Sequence, residues 1–92
     1  MEEIWTTEAK NTFKDNIEYL KNKWTLKEID IFVTTSLEII NLLKMNPKMG
    51  QWDVNHNCYK FLVVPQIYLF YSFDKMQFVL LNFWNNYQKP LF

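Results

Sequence analysis

The fold of this 92-residue chain depends most on one stretch, CYKFLVVPQIYLFYSFDKMQFVLLNFW, which spans residues 58–84. The stretch contains three apolar runs that are rich in β-branched and aromatic residues, a composition typical of β-strands. The runs cover residues 58–64, 67–73 and 76–84. The separators between them, Pro65-Gln66 and Asp74-Lys75, are short enough for hairpins. The stretch therefore predicts a three-stranded antiparallel meander.

The predicted strands are apolar on both faces. In the second run Ile67, Leu69 and Tyr71 alternate with Tyr68 and Phe70, so neither set is strongly polar. An antiparallel sheet that helices cover on one side normally has a polar opposite face. The surplus apolar surface therefore predicts a docking surface for a partner chain or a ligand. The alternative is that the sheet curls enough for loops and the C-terminal segment to bury the surplus.

Two amphipathic helices precede this stretch. In the first, apolar residues recur at spacings of three and four, which indicates one buried helical stripe. These residues are Ala9, Phe13, Ile17, Leu20 and Trp24. The second helix begins at a capping-box pattern, Thr25 with Glu28, and ends at Asn46-Pro47. The short connection between the helices predicts an antiparallel helical hairpin.

The remaining segments complete a single domain over residues 1–92. We predict a short strand over residues 3–6 that joins the same sheet. We predict a loop over residues 48–57, with a short extended piece around Trp52. The predicted fold class is α+β: a short N-terminal strand, an antiparallel helical hairpin and then a three-stranded antiparallel meander. The length suffices for one hydrophobic core without a disulfide or a structural metal.

The composition indicates a small cytoplasmic domain. Ten lysines balance ten acidic residues, there is no Arg, and the net charge is zero. A lone Cys58 cannot form an internal disulfide, which fits a reducing compartment. No apolar run approaches the roughly 20 residues that span a bilayer. The N-terminus, with Glu2 and Glu3, lacks the apolar segment of a secretory signal. We therefore expect a cytoplasmic protein with no membrane association.

The neutral total conceals two unequal halves. Residues 1–46 carry a net charge of −2 and residues 47–92 a net charge of +2, and twelve of the seventeen aromatic residues lie in the second half. A basic, aromatic surface suits single-stranded nucleic acid. However, a β-rich half collects aromatic residues for packing alone, and the excess charge is far short of a basic patch. Packing is therefore the favoured explanation.

Three residues near the first of the predicted strands are candidates for chemistry. His56 can act as a general base near neutral pH, although a lone loop histidine is more often a solvated surface residue. Cys58 is expected to be a small buried hydrophobe. Lys60 lies within an apolar run, so its ammonium either contacts phosphate on a wet face or is a charge on an edge strand that discourages aggregation. No cofactor or metal site is predicted, because there is no Cys-x-x-Cys, no second His and no Gly-rich phosphate loop.

Residues 82–90 resemble the end of a known family. Members of the plasmid-stabilisation branch of the RelE/ParE toxin superfamily, from bacterial type II toxin–antitoxin systems, typically end in Phe-Trp-Asp-Asn-Arg-Gln-x-Pro. Residues 83–90 here are Phe-Trp-Asn-Asn-Tyr-Gln-Lys-Pro and differ at two positions. Upstream, residues 59–64 and 69–71 are similar to two strands of the family, and further matches extend in order back to Trp5. The likeness covers nearly the whole chain.

The resemblance implies a toxin that is held inactive by a cognate antitoxin protein, whose C-terminal segment wraps the toxin. RelE-like members block translation by cleaving messenger RNA on the ribosome, whereas ParE-like members inhibit DNA gyrase. For the ribonuclease mode, the resemblance implies Lys60 and Tyr87 as catalytic residues, with His56 and Lys89 as weaker candidates.

This sequence departs from the family's pattern where the chemistry occurs. The strand arginine of the family is Tyr59 here, the tail arginine is Tyr87, and the preceding aspartate is Asn85. Lys60 lacks the bidentate fork of Arg, and a neutral protein lacks electrostatic attraction to RNA. Ribonuclease activity is thus less expected than in an average RelE-like toxin, and the sequence leaves open whether the protein is an enzyme. The alternative function is an attenuated or non-toxic interaction module that binds a partner chain through its sheet face.

Overall fold

The computed structural model describes residues 1–22 and 24–86 and has an α+β fold. In chain order the elements are β1 (Glu2–Trp5), α1 (Thr7–Lys21), α2 (Leu26–Met45), a short 3₁₀ turn (Pro47–Met49), β2 (Gln51–Asp53), β3 (Cys58–Val64), β4 (Ile67–Phe73) and β5 (Gln77–Asn85). The two helices, the N-terminal strand and the three long strands lie within about a residue of where the sequence predicts them. Neither helix in the described part of the chain is long and apolar enough to cross a bilayer.

The five strands form one mixed sheet in the order β1-β5-β4-β3-β2. The strands from β2 to β5 pair in antiparallel fashion, whereas β1 pairs in parallel with β5. The predicted three-stranded meander is therefore wrong in strand count, because residues 51–53, expected as a short extended piece within a loop, form β2 and pair with β3. Three residues are too few for a period-two pattern to appear in the sequence. The pairing is stabilised by Trp52 and Tyr59, whose rings meet edge-on with centroids 5.2 Å apart.

Side-chain caps determine where the helices begin. At the start of α1 the Thr6 hydroxyl accepts a hydrogen bond from the Ala9 backbone N–H at 3.0 Å. At α2 the predicted capping box is confirmed. Thr25 Oγ1 accepts from the Glu28 N–H at 3.3 Å, and Glu28 Oε1 accepts from the Thr25 N–H at 2.9 Å. The helix ends two residues before Pro47, whose ring cannot continue it.

The core lies between one face of the sheet and the two helices. Its aromatic centre is Phe83 of β5, whose ring centroid lies 4.9 Å from that of Phe13, 5.7 Å from that of Trp5 and 6.4 Å from that of Phe32. These rings come from β1, both helices and β5. Their packing therefore joins elements that are far apart in the sequence.

Tyr71 of β4 carries a buried hydroxyl that holds the segment after α2 against the sheet. The hydroxyl donates to the Pro47 carbonyl at 2.7 Å and accepts from the Gly50 N–H at 3.1 Å. Burial raises the pKa of Tyr71 to about 12, because a phenolate is poorly solvated there. The hydroxyl therefore stays protonated at neutral pH and keeps both hydrogen bonds.

A β-bulge in β5 decides which side chains face away from the core. Leu81 is an extra residue between the pairs that β5 forms with β4 on either side of it. Because of the bulge, Leu80 and Phe83 both pack in the core although they are three positions apart. Asn82 and Trp84 consequently lie on the opposite face of the sheet, where both line a cavity.

Candidate functional site

The sheet face that turns away from the helices, here called the open face, carries the residues predicted for chemistry. It includes Cys58, Lys60, Leu62, Tyr68, Phe70, Leu81, Asn82 and Trp84. Strand alternation assigns these residues to the open face, because their neighbours along β3, β4 and β5 pack in the core. The apolar surplus is only partly covered, since Phe70 is buried whereas the Leu62 side chain is 43% exposed.

The loop between β2 and β3 folds over the open face because Asp53 holds it there. Asp53 Oδ1 accepts hydrogen bonds from the backbone N–H groups of Asn55 at 2.9 Å and His56 at 3.1 Å, as in an Asx turn. Asn57 then adopts a left-handed conformation, with φ of 55°, which asparagine tolerates better than most residues. As a result the His56 ring packs on Phe70 with centroids 4.9 Å apart.

The carboxylate of Asp53 also joins two of the predicted catalytic residues. Its Oδ2 lies 3.2 Å from Lys60 Nζ, and its Oδ1 lies 3.2 Å from His56 Nδ1. The side chain is only 7% exposed. Burial raises the pKa of Asp53, but hydrogen bonds from Lys60 and His56 and the charge of Lys60 outweigh burial and lower the pKa to about 2. Together with Tyr68 these residues form what we call the Asp53 cluster.

Lys60 is paired within this cluster. Its side chain is 25% exposed, and its Nζ lies 5.2 Å from the centroid of the Tyr68 ring, within the range of a cation–π contact. The strand that carries it, β3, is flanked by β2 and β4. The prediction of a charge on an edge strand is therefore wrong. A phosphate group that approached Lys60 would have to compete with the carboxylate of Asp53.

The other two candidates near β3 differ in accessibility. The His56 side chain is mostly exposed, as expected for a loop histidine. Cys58 is buried, as predicted. Burial raises the pKa of the Cys58 thiol, and the nearby Asp53 carboxylate raises it further. A neutral, enclosed thiol is a poor nucleophile, so Cys58 is a packing residue.

Two of the predicted catalytic residues, Tyr87 and Lys89, lie outside the described residues, and their roles stay predictions. Within residues 1–22 and 24–86, no three His, Cys, Asp or Glu side chains form a group that could hold a metal ion.

Asp53, which joins Lys60 to His56, was missed by sequence reasoning. A signal for it existed, since an Asp side chain commonly accepts hydrogen bonds from backbone N–H groups two residues further on, and Asp53 is the first residue of the polar turn that contains Asn55 and Asn57.

A cavity and an adjoining cleft lie where β5 meets the start of α1. The first, a cavity of about 400 Å³ on the open face, is lined by Thr6, Glu8, His56, Cys58, Phe70, Leu81, Asn82 and Trp84. The second, a cleft of about 360 Å³, is lined by Glu8, Thr12, Asp15, Asn16, Asn82, Phe83, Trp84 and Asn85. They share Glu8, Asn82 and Trp84, and Asn82 Nδ2 donates a hydrogen bond to the Glu8 carboxylate. The lining of both is mainly apolar, and the cleft adds the carboxylate of Asp15 and the amides of Asn16 and Asn85 to the shared residues.

No protein-family model and no curated protein matches the chain.

The lowered pKa of Asp53 predicts a specific loss of stability in acid. The ordinary pKa is 3.8 and the folded value is about 2, so the stabilisation from the carboxylate is complete above pH 3.8 and disappears as the pH falls to about 2. Urea unfolding of the wild type and of Asp53→Asn should therefore differ near neutral pH and converge near pH 2. We expect Lys60→Met to weaken this pH dependence and Lys75→Met, at an exposed turn lysine, to leave it unchanged. A stability difference that does not vary with pH would contradict the ionised cluster.

Proposed function

We propose that this chain is the toxin component of a bacterial type II toxin–antitoxin system of the RelE/ParE type. The observation that carries the proposal is the resemblance of residues 83–90 to the family's C-terminal pattern, with strand matches upstream in the same order. Apart from the additional strand β2, the observed succession of strand, two helices and antiparallel strands is the one that the resemblance implies. In this proposal the chain arrests growth until a cognate antitoxin neutralises it.

The open face supports a partner of this kind. Leu62 on β3 remains well exposed on this face, and Trp52 on β2 remains well exposed on the other face, where it pairs with Tyr59. Both lie at the end of the sheet where β2 is the edge strand. An antitoxin segment that covers them would remove apolar surface from water, which is the main favourable term in most protein association.

The Asp53 cluster favours growth arrest through binding, as in inhibition of DNA gyrase, over cleavage of messenger RNA. Cleavage requires groups that stabilise negative charge on the reacting phosphate. Lys60, the cation on the open face, is paired with Asp53 at 3.2 Å, and the chain contains no Arg. Cleavage of messenger RNA stays the second candidate. His56 and Lys60 both contact the Asp53 carboxylate and are therefore close enough to act together in catalysis.

Induced expression in a bacterial host tests the proposal. We expect expression of the chain alone to arrest growth, and co-expression of an adjacent short reading frame from its genome to relieve the arrest. Circular dichroism of the purified chain confirms that it is folded. Normal growth with folded, soluble protein would contradict the toxin proposal and favour a non-toxic interaction module.

Matched lysine variants separate the two modes. For arrest through binding, Lys60→Met and the control Lys75→Met should both still arrest growth, and purified toxin should inhibit supercoiling by gyrase. For ribonuclease action, Lys60→Met alone should abolish arrest and the cutting of ribosome-bound messenger RNA, since loss of one charge-stabilising group typically costs about 10²–10³ in rate. Normal supercoiling at saturating toxin, together with loss of arrest in Lys60→Met only, would contradict the binding mode.

A further inference from the structure

The cavity on the open face has a polar side chain at each end. At one end the Glu8 carboxylate accepts a hydrogen bond from Asn82 Nδ2. Asn82 pairs across the strands with Phe70, and the ring of Phe70 packs against the ring of His56 at the other end. The cavity therefore extends across β5 and β4, from the start of α1 to the loop that carries His56.

Both ends of the cavity are fixed by the fold before any ligand arrives. Glu8 lies in the first turn of α1, whose start is set by the Thr6 cap. His56 is held by Asp53, which accepts its backbone N–H at 3.1 Å and lies 3.2 Å from its ring Nδ1. A site whose walls are already ordered loses little conformational entropy when it binds a ligand.

The interior between these ends is apolar and aromatic. Cys58 and Phe70 are only 5% and 9% exposed, and Leu81 and Trp84 are partly buried beside them. The volume of about 400 Å³ is in the range of small-molecule sites, which combine a mainly apolar lining with a few polar groups. Because aromatic rings gain energy from each other beyond the area they bury, the interior suits a ligand with an aromatic body.

The polar group of such a ligand must complement a carboxylate. The described residues that line the cavity include one carboxylate, that of Glu8, and no Lys. Glu8 is exposed, and its Oε2 accepts from Asn82, whereas no described residue donates to its Oε1. A single available oxygen matches a compact ammonium group better than a guanidinium, whose planar fork pairs with two carboxylate oxygens at once.

We infer that this cavity binds a small primary amine whose ammonium group is carried on an aromatic body. The ammonium donates to Glu8 Oε1, and the aromatic ring lies in the apolar interior beside Leu81 and Trp84. Glu8 repels an anionic ligand, and the described part of the chain contains no group of ligands for a metal ion. The inference does not rest on the proposed toxin activity, because the cavity is defined by the described residues alone.

NMR titrations of the full chain with 2-phenylethylamine test the inference, and 2-phenylethanol is the matched neutral ligand. We expect the amine to produce saturable shifts of the Trp84 indole N–H and of the His56 ring signals. The exposed Trp52, on the other face of the sheet, is an internal control for non-specific stacking and should not shift. The alcohol should bind about fivefold more weakly, because it lacks the charge-assisted hydrogen bond to Glu8.

Charge variants test the role of the carboxylate. Glu8→Gln removes the charge but keeps the shape of the side chain and an acceptor for Asn82, so it should bind the amine and the alcohol equally, to within about twofold. The control Asp15→Asn removes an equal charge seven positions further along the same face of α1, from the cleft rather than the cavity. It should keep the preference for the amine. A preference that persists in Glu8→Gln would overturn the inference.

Size variants test the location of the aromatic body. Leu81→Trp should fill the interior and abolish the saturable shifts, whereas Leu62→Trp, on the open face outside the cavity, should leave the affinity within about twofold. Circular dichroism confirms that both variants are folded. Unchanged binding by folded Leu81→Trp, equal shifts of Trp52 and Trp84, or no saturable shift in the wild type would overturn the inference.

Discussion

Phe83→Ala should lower the free energy of unfolding by about 3–5 kcal/mol, the cost typical of removing a buried Phe side chain. Phe83 is almost completely buried, and its ring packs against Trp5, Phe13 and Phe32. Removal of the ring leaves a cavity at the point where β1, both helices and β5 meet. A domain of this size is typically stable by only about 5–14 kcal/mol, so the variant should lose a large part of its stability.

Urea unfolding monitored by circular dichroism measures this loss. The matched control is Phe73→Ala at the end of β4, where the ring is only partly buried. We expect the control to lose clearly less stability than Phe83→Ala, because the partly buried ring of Phe73 contributes less buried apolar surface than the ring of Phe83. Equal losses in the two variants would contradict the assignment of Phe83 as the centre of the core.

Gly50→Ala should destabilise the protein by about 2–4 kcal/mol, because overpacking and the loss of buried hydrogen bonds act together. A Cβ at this position would clash with Tyr71 Oη and lie 2.9 Å from the carbonyl oxygen of Lys60. The backbone conformation is not the reason, since φ is −76° and suits any residue. The Tyr71 hydroxyl would have to move, and its bonds to Pro47 and Gly50 would be weakened.

A double-mutant cycle with Tyr71→Phe separates the clash from the hydrogen bonds. Tyr71→Phe alone should cost about 1–3 kcal/mol, because it leaves the Gly50 N–H without its acceptor. In the double variant the nearest clashing atom is absent, so the combined loss should be smaller than the sum of the two single losses. Additive losses would show that the hydroxyl and the glycine act independently.

Only part of the candidate site on the open face could be predicted from the sequence. His56 and Lys60 could be selected from the sequence, since a histidine in a polar loop and a lysine in an apolar run are both conspicuous. Their meeting on Asp53 could not be predicted, because it depends on the register between β2 and β3 and on the turn that joins them. The burial of Asn16 was equally hidden, since its Nδ2 meets the Phe83 carbonyl only when α1 packs on β5.

The sequence by itself determined the features that arise from local physical chemistry. The two helices follow from apolar spacing and from the capping box at Thr25, and the three long strands follow from runs of β-branched and aromatic residues, because these signals act within a few residues of chain. Only the tertiary structure decided the strand order, the pairing of the short β2, the bulge at Leu81, the Asp53 cluster and the cleft between α1 and β5. The strand order and the cleft depend on packing between residues distant in the sequence, whereas the other three depend on the register between strands that follow one another along the chain. Both are selected only when the whole core assembles.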